Sequence, residues 1–224
     1  MSIPFQPFSE HKSVRIYRTD LPHWRQDGCT YFITFRLADS IPQSVVDGWK
    51  REKKSSLALH DIEMSSGKKW IDDFLRLPAI EQRRFQRIFN RKTNDYLDGC
   101  HGNCALKQPQ IAKALEISLS YFDTERYELG DYIVMPNHVH LLARPEPGHQ
   151  LETILQSIKK QSARSINRAL GQRGTLWQKH THDHIVRDEV ELAAYQKYIA
   201  NNPKKAGLSE GDYVYRSANY VTSI

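Results

Sequence analysis

The chain has 224 residues, of which 39% are hydrophobic, 10% aromatic and 26% charged, with a formal net charge of +6 and a mean hydropathy of −0.64. That is one substantial domain or two small ones with a real core, and no run approaches the roughly 18 apolar residues that would span a membrane. A pI of about 9.2 suits a polyanionic partner, and the opening MSIPFQPFSEHKSVRIYR has no apolar signal core, which points to the cytoplasm.

Residues 1–28 alternate polar, basic and aromatic side chains, among them Arg15, Tyr17, Arg18, His23, Trp24 and Arg25. They read as an irregular arm, either packed as a tail or touching nucleic acid through its arginines and rings. Cys29–Leu37, CTYFITFRL, is rich in β-branched and aromatic residues and predicts a central strand. Asp39–Pro42 ends it, and Val45–His60 looks helical. Residues 62–125 read as a mostly helical insertion, broken at Pro78, with apolar residues from Trp70 to Leu97 at helical spacing. Arg83, Arg84, Arg87 and Arg91 share one side of its second helix, and a solvated basic face is the expectation. Leu97–Lys107 reads as a loop holding Cys100 and Cys104 in CHGNC, best taken as reduced thiols because a zinc site with Cys100, His101 and Cys104 lacks a fourth ligand. Gln110–Asp123 predicts a further helix.

The chain is organised around Asp131–Pro145, DYIVMPNHVHLLARP. Tyr127–Met135 and His138–Arg144 predict a hairpin turning at Pro136–Asn137. Alternate strand positions put His138 and His140 on one face, while Val139 and Leu141 point into a core. Leu151–Leu170 predicts an amphipathic helix closed by Gly171, with Leu151, Ile154, Leu155, Ile158 and Ile166 as its buried stripe. Lys160, Arg164 and Arg168 follow at intervals of four on another face, placed to meet successive phosphates. Leu176–Arg187 reads as a strand with His180, His182 and His184 on one face. Asp188 then caps a helix to Asn202, stopped by Pro203 and followed by Lys204 and Lys205. Residues 209–224 form a short tail with material for a strand. No repeat, low-complexity tract or linker divides the chain, so the expectation for 1–224 is one α+β domain with a helical insertion at about 62–125.

Two imidazoles on one strand face can hold one divalent cation, and a side-chain oxygen of Asn202 would make a third ligand while leaving positions open. Tyr198, one helical turn from Asn202, would then be carried to a phosphate oxygen on that ion. Attack by its phenol on phosphorus would give a phosphotyrosine and release a hydroxyl, a reversible step that needs no nucleotide. Tyr195 is a rival nucleophile.

The stretches MPNHVHLLARP at 135–145, LWQKHTHDHIVRDEVE at 176–191 and YQKYIANNPKKAGL at 195–208 resemble the single-tyrosine HUH transposases, most closely the REP-associated tyrosine transposases (RAYTs). The resemblance implies a ferredoxin-like antiparallel sheet with helices on one side. It makes His138 and His140 the HUH pair, Tyr198 the catalytic nucleophile and Asn202 a further metal ligand. It implies Mg2+ or Mn2+ as cofactor, single-stranded or hairpin DNA as partner, and cleavage and rejoining through a 5′-phosphotyrosine. Arg15, Arg18, Arg25, Lys160, Arg164, Arg168, Lys204 and Lys205 are the candidate DNA contacts. Relatives occur as monomers and dimers, so a homodimer is open to this chain. The competing expectations are a catalytically silent hairpin-DNA-binding protein and a metal-dependent small-molecule hydrolase; against the latter, Leu141 and Leu142 stand where an H-x-H-x-D-H motif would continue.

Overall fold

The structure is a computed structural model and describes residues 2–18, 22–64 and 69–222. Three short strands, β1 (Ser2–Phe5), β2 (Arg15–Arg18) and β3 (Pro22–Arg25), precede β4 (Tyr31–Arg36). Helices α1 (Gln43–Ala58), α2 (Lys69–Leu75) and α3 (Ala79–Asp98) follow, and a 3₁₀ turn at Ala105–Lys107 leads into α4 (Pro109–Ser120). The hairpin β5 (Tyr127–Val134) and β6 (His138–Pro145) comes next, then α5 (Leu151–Ala169), β7 (His182–Ile185) and α6 (Glu189–Lys205). β8 (Val214–Arg216) and β9 (Asn219–Thr222) end the described chain.

The main sheet has the order β7-β4-β6-β5-β8, with all neighbours antiparallel. Taken from β4 onward, its first four strands lie in the order fourth, first, third, second. α4 lies between the first and second of them, and α5 between the third and fourth. That is the ferredoxin-like arrangement, and β8 extends its edge beside β5.

Alternation decides which side chain meets which layer. Ile33, Phe35, Val139, Leu141 and Ile185 face α4 and α5, where Ile111, Leu115, Leu119, Ile154, Ile158 and Ile166 complete the larger core. Phe32, Ile133 and Leu142 face the other way and pack with Leu192 and Ile199 of α6. The helices therefore cover both faces, not one as expected, because α6 has its own apolar stripe to bury. Within the stretch read as an insertion, α4 belongs to the sheet layers, whereas α2 and α3 close with α1 over a separate cluster of Leu57, Ile62, Trp70, Ile71, Phe74, Phe85 and Phe89.

Other local expectations are corrected. The arm at 1–28 is not irregular: β2 pairs with β3, and β1 pairs in parallel with β9. The strand read at 176–187 is confined to β7, with Trp177 making only an isolated bridge to Leu37. Pro203 does not stop α6. It forgoes one i→i−4 bond, yet the chain continues: the Ala206 amide donates to the Asn202 carbonyl at 3.0 Å, and Gly207 ends the helix at φ 65°.

α6 is pinned along its length. Asp188 caps it by accepting from the Glu191 amide at 2.7 Å, and Glu191 accepts from His184 at 2.9 Å. Gln196 donates to the buried Asp131 of β5 at 3.2 Å. At the far end Lys205 pairs with Asp95 and Asp98 of α3, at 2.7 Å each. Gly130 admits the Tyr220 ring beside Asp131, where a Cβ would collide with the phenol. Among the described residues no helix is long and apolar enough to cross a membrane.

Candidate active site

The register of β6 against β4 pairs Thr34 with His140 and Arg36 with His138. Both imidazoles therefore leave the α6 face of the sheet, and both are wholly buried. Their Nε2 atoms meet at 3.0 Å, with ring centroids 4.6 Å apart. Burial disfavours the charged ring, so the His138 pKa is pushed down to about 3 and that of His140 also falls well below 6.5. Both rings are neutral at pH 7.

Two residues hold the outer ring nitrogens. His138 Nδ1 lies 2.7 Å from Asn137 Oδ1. The other half of that amide, Nδ2, donates to the His101 carbonyl at 2.9 Å, which fixes its orientation. Asn137 Oδ1 can only accept, so the His138 proton sits on Nδ1 and the Nε2 lone pair is left facing the site. His140 Nδ1 lies 2.7 Å from the Thr34 hydroxyl, which can donate or accept. His140 can therefore carry its proton on Nε2, toward His138, or on Nδ1, which frees a second inward lone pair.

Tyr198 reaches this pair from α6. Its hydroxyl is 3.4 Å from His140 Nε2, and its ring meets His140 at 5.1 Å and 71°. Burial, then the nearby carboxylates of Asp98 and Asp95, raise its pKa above the ordinary 10, so the phenol is protonated at neutral pH. The Asn202 amide, one turn along, works slightly the other way; its approach to the phenol falls short of a hydrogen bond, and both amide atoms are buried with no hydrogen-bond partner. Tyr195 is differently used. Its ring is stacked flat on Phe32 at 4.2 Å and 10°, and its pKa is also raised, chiefly by burial.

The donor set fits a divalent cation. Two neutral imidazole nitrogens converge at 3.0 Å, the spacing of adjacent ligands about 2.1 Å from one ion. The partnerless Asn202 amide, one turn from Tyr198 on α6, offers a buried oxygen as a further donor. Among the described residues no group of three or more His, Cys, Asp or Glu forms a metal cluster, so such a site is a two-histidine site completed by an amide. In the CHGNC loop the Cys104 thiol donates to the Cys100 carbonyl at 2.8 Å.

His138, His140 and Tyr198 thus come together, with Asn202 one turn from Tyr198 on α6, while most candidate DNA contacts lie elsewhere. Lys160, Arg164 and Arg168 are exposed on α5, across the sheet from the histidines. Arg15 is exposed on β2 and pairs with Glu152 at 3.1 Å. Arg18 lies on β2, but its side chain falls outside the described residues. Arg25 is buried, bound to Glu152 at 3.0 Å and to Asp183 at 3.0 Å, so it is committed inside the protein. Lys204 is exposed, and Lys205 is engaged with Asp95 and Asp98. His182 and His184 share the site face through their pairing with Thr34 and Phe32, but His184 is held by Glu191. Thr34 and Asn137, which set the rings, were not legible as site residues: Thr34 looked like strand filler and Asn137 like a turn residue.

Residues 104–202 match the sequence model of a family described as Transposase IS200 like. That span holds both histidines and Tyr198 and ends on Asn202. Over that span the chain is similar to the IS200-like transposases. It is 30% identical over 96 residues to a protein of Haemophilus influenzae described as a REP-associated tyrosine transposase, a match covering 38% of this chain and 54% of that one. The chain thus spans about half the length of that curated relative. Among solved structures it is 17% identical to a REP-associated tyrosine transposase bound to a REP hairpin, over 87% of this chain and 75% of that one, with a TM-score of 0.45. It is also 17% identical to a transposase of Deinococcus radiodurans R1, over 77% and 89% of the two chains, with a TM-score of 0.33. α1, α2 and α3 lie outside the matched span.

Proposed function

We propose that the chain cleaves and rejoins single-stranded DNA at hairpin-containing sites, with Tyr198 as nucleophile and Mg2+ or Mn2+ as cofactor. The observation that carries this reading is the Tyr198 hydroxyl standing 3.4 Å from His140 Nε2, beside two histidine nitrogens that converge at 3.0 Å. His138, His140 and Asn202 would hold the ion through Nε2, Nε2 and Oδ1. When bound, it supplies positive charge that offsets charge developing on the phosphate oxygens and favours the ionised phenol.

The chain's own residues do the rest. α6 carries nucleophile and amide on one face, so positioning one positions the other. Burial keeps the imidazoles neutral, and Asn137 and Thr34 aim them inward. In the forward step the Tyr198 Oη–P bond forms and the P–O3′ bond breaks. The phenolic proton leaves the site, and the departing 3′-oxygen takes up a proton to become a hydroxyl. The 5′ end remains as a phosphotyrosine. Attack by a 3′-hydroxyl on that bond reverses the step and joins strands. The exposed cations Lys160, Arg164 and Arg168, with Arg15 and Lys204, are the proposed phosphate contacts outside the reacting centre.

The test is a covalent-adduct assay on labelled hairpin oligonucleotides with single-stranded tails, in manganese or EDTA, resolved on a denaturing gel. A manganese-dependent shifted band that disappears in Tyr198→Phe and in His138→Ala is the expected result. Tight, salt-sensitive hairpin binding without any adduct would assign the chain a silent DNA-binding role instead.

A further inference from the structure

α3 lies outside the span matched to the transposase family, yet it faces the site. Its apolar side, Phe85 and Phe89, is buried among α1 and α2. Its basic side presents Arg83, Arg87 and Arg91, all exposed and each one turn from the next. These three line a cleft of about 460 Å³ whose opposite wall includes Tyr198 and Lys205 of α6. The sequence alone gave them no partner beyond solvent.

Two observations bind α3 to the site. Lys205 bridges Asp95 and Asp98 at 2.7 Å each, tying the end of α3 to the last turn of α6. The same two carboxylates lie close enough to Tyr198 to disfavour its ionised phenol. The charge of the cleft is unbalanced. Five of its lining residues are cations, the three arginines with Arg187 and Lys205, against the carboxylates Asp95 and Glu191. Both carboxylates are already engaged, Asp95 by Lys205 and, at 3.5 Å, by Arg91, and Glu191 by His184. Arg83 and Arg87 have no carboxylate partner among the described residues.

We propose that α3 is the second wall of the DNA path, so that the single strand carrying the scissile phosphate runs between α3 and α6 with its backbone on Arg83, Arg87 and Arg91. The arginines recur about 6 Å apart along the helix axis, a spacing that successive phosphates of an extended strand can match. Guanidinium forks suit phosphate oxygens, so the wall aligns the strand as well as attracting it. The inference rests on the proposed single-stranded DNA substrate and adds a positioning element to the site.

The test uses the full chain and two triple variants, Arg83→Gln with Arg87→Gln and Arg91→Gln, and the same three positions changed to Lys. Binding of a single-stranded oligonucleotide is measured against salt concentration, alongside adduct formation and thermal unfolding. Each phosphate contact on a single strand contributes about 0.7 to the slope of log K against log salt. The Gln variant is expected to lower that slope by about 2 and to slow adduct formation at limiting DNA, with unfolding unchanged. The Lys variant is expected to keep the slope while adduct formation stays slow, because charge is kept and the fork is lost. An unchanged slope in the Gln variant overturns the inference, as does a wild-type chain that binds no single strand. The two readings fail separately: a slope that drops while wild-type chain gives no adduct leaves the α3 wall standing and removes Tyr198 as nucleophile.

Discussion

Asn202→Leu replaces a planar amide with a hydrocarbon branched at the same carbon, at a position with no exposure to solvent. Neither amide atom has a hydrogen-bond partner, and an unsatisfied buried polar group costs about 1–3 kcal/mol. Leucine removes that cost without opening a cavity, so the metal-free protein is expected to gain about 1–3 kcal/mol. At roughly 3 °C per kcal/mol for a chain of this size, Tm rises by about 3–9 °C. The same change removes a proposed ligand. A cation present at 100 times its Kd stabilises the folded wild-type chain by about 2.7 kcal/mol, or about 8 °C, and in the variant most of that shift is expected to vanish. The assay is thermal unfolding in EDTA and in millimolar manganese. A lower Tm in EDTA would mean that the amide holds a bond worth more than its desolvation, most simply to the Tyr198 hydroxyl. An undiminished manganese shift would mean that Asn202 is no ligand. Either result would refute the reasoning.

Asn137→Ala removes the acceptor that fixes His138 Nδ1 and the donor to the His101 carbonyl; manganese affinity, read by titration calorimetry, is expected to fall 10- to 100-fold, and unchanged affinity would contradict the tautomer argument. Burial holds the His138 pKa at about 3, with His140 also lowered. Folding stability in EDTA is therefore full above the unfolded value near 6.5 and lost as pH falls toward 3, by up to about 1.4 kcal/mol per pH unit for each ring. Tm measured from pH 7 to pH 5 is expected to fall less steeply in His138→Gln, and a wild-type Tm that is flat across that range would contradict the burial argument. Arg25→Ala leaves Asp183 buried without its guanidinium and is expected to cost about 3–5 kcal/mol in urea unfolding while leaving the salt dependence of DNA binding unchanged; a variant of normal stability with weakened DNA binding would return Arg25 to the DNA surface.

The site was legible where chemistry and backbone period coincide. H-x-H on a strand and Y-x-x-x-N on a helix each dictate a shared face from sequence alone, and the structure sets Tyr198 beside the histidine pair with Asn202 one turn along the same helix. Spacing alone leaves Tyr195 and Tyr198 as rivals, because three residues apart on a helix places both near one face, and only the resemblance favours Tyr198. It is Phe32, across the sheet from α6, that takes up the Tyr195 ring. For α5, closeness in sequence is not closeness to the histidines: Lys160 lies on the element that follows the hairpin, and the crossover carries it to the other side of the sheet. Arg25 looked like a surface cation because its two carboxylate partners lie more than a hundred residues away. The basic face of α3 read as solvated for the same reason, since its opposite wall is built from α6, and Pro203 was read as a stop because it lacks one i→i−4 donor, although the helix runs one turn further to Gly207.

The most direct test of the account is to map the residue that carries the DNA. Trypsin separates the two candidates, because cleavage after Arg187, Lys197 and Lys204 places Tyr195 in peptide 188–197 and Tyr198 in peptide 198–204. After nuclease trimming of a manganese-formed adduct, mass spectrometry is expected to find the nucleotide-bearing tyrosine in peptide 198–204. The same modification in peptide 188–197, with 198–204 unmodified, would contradict the assignment of Tyr198 as nucleophile.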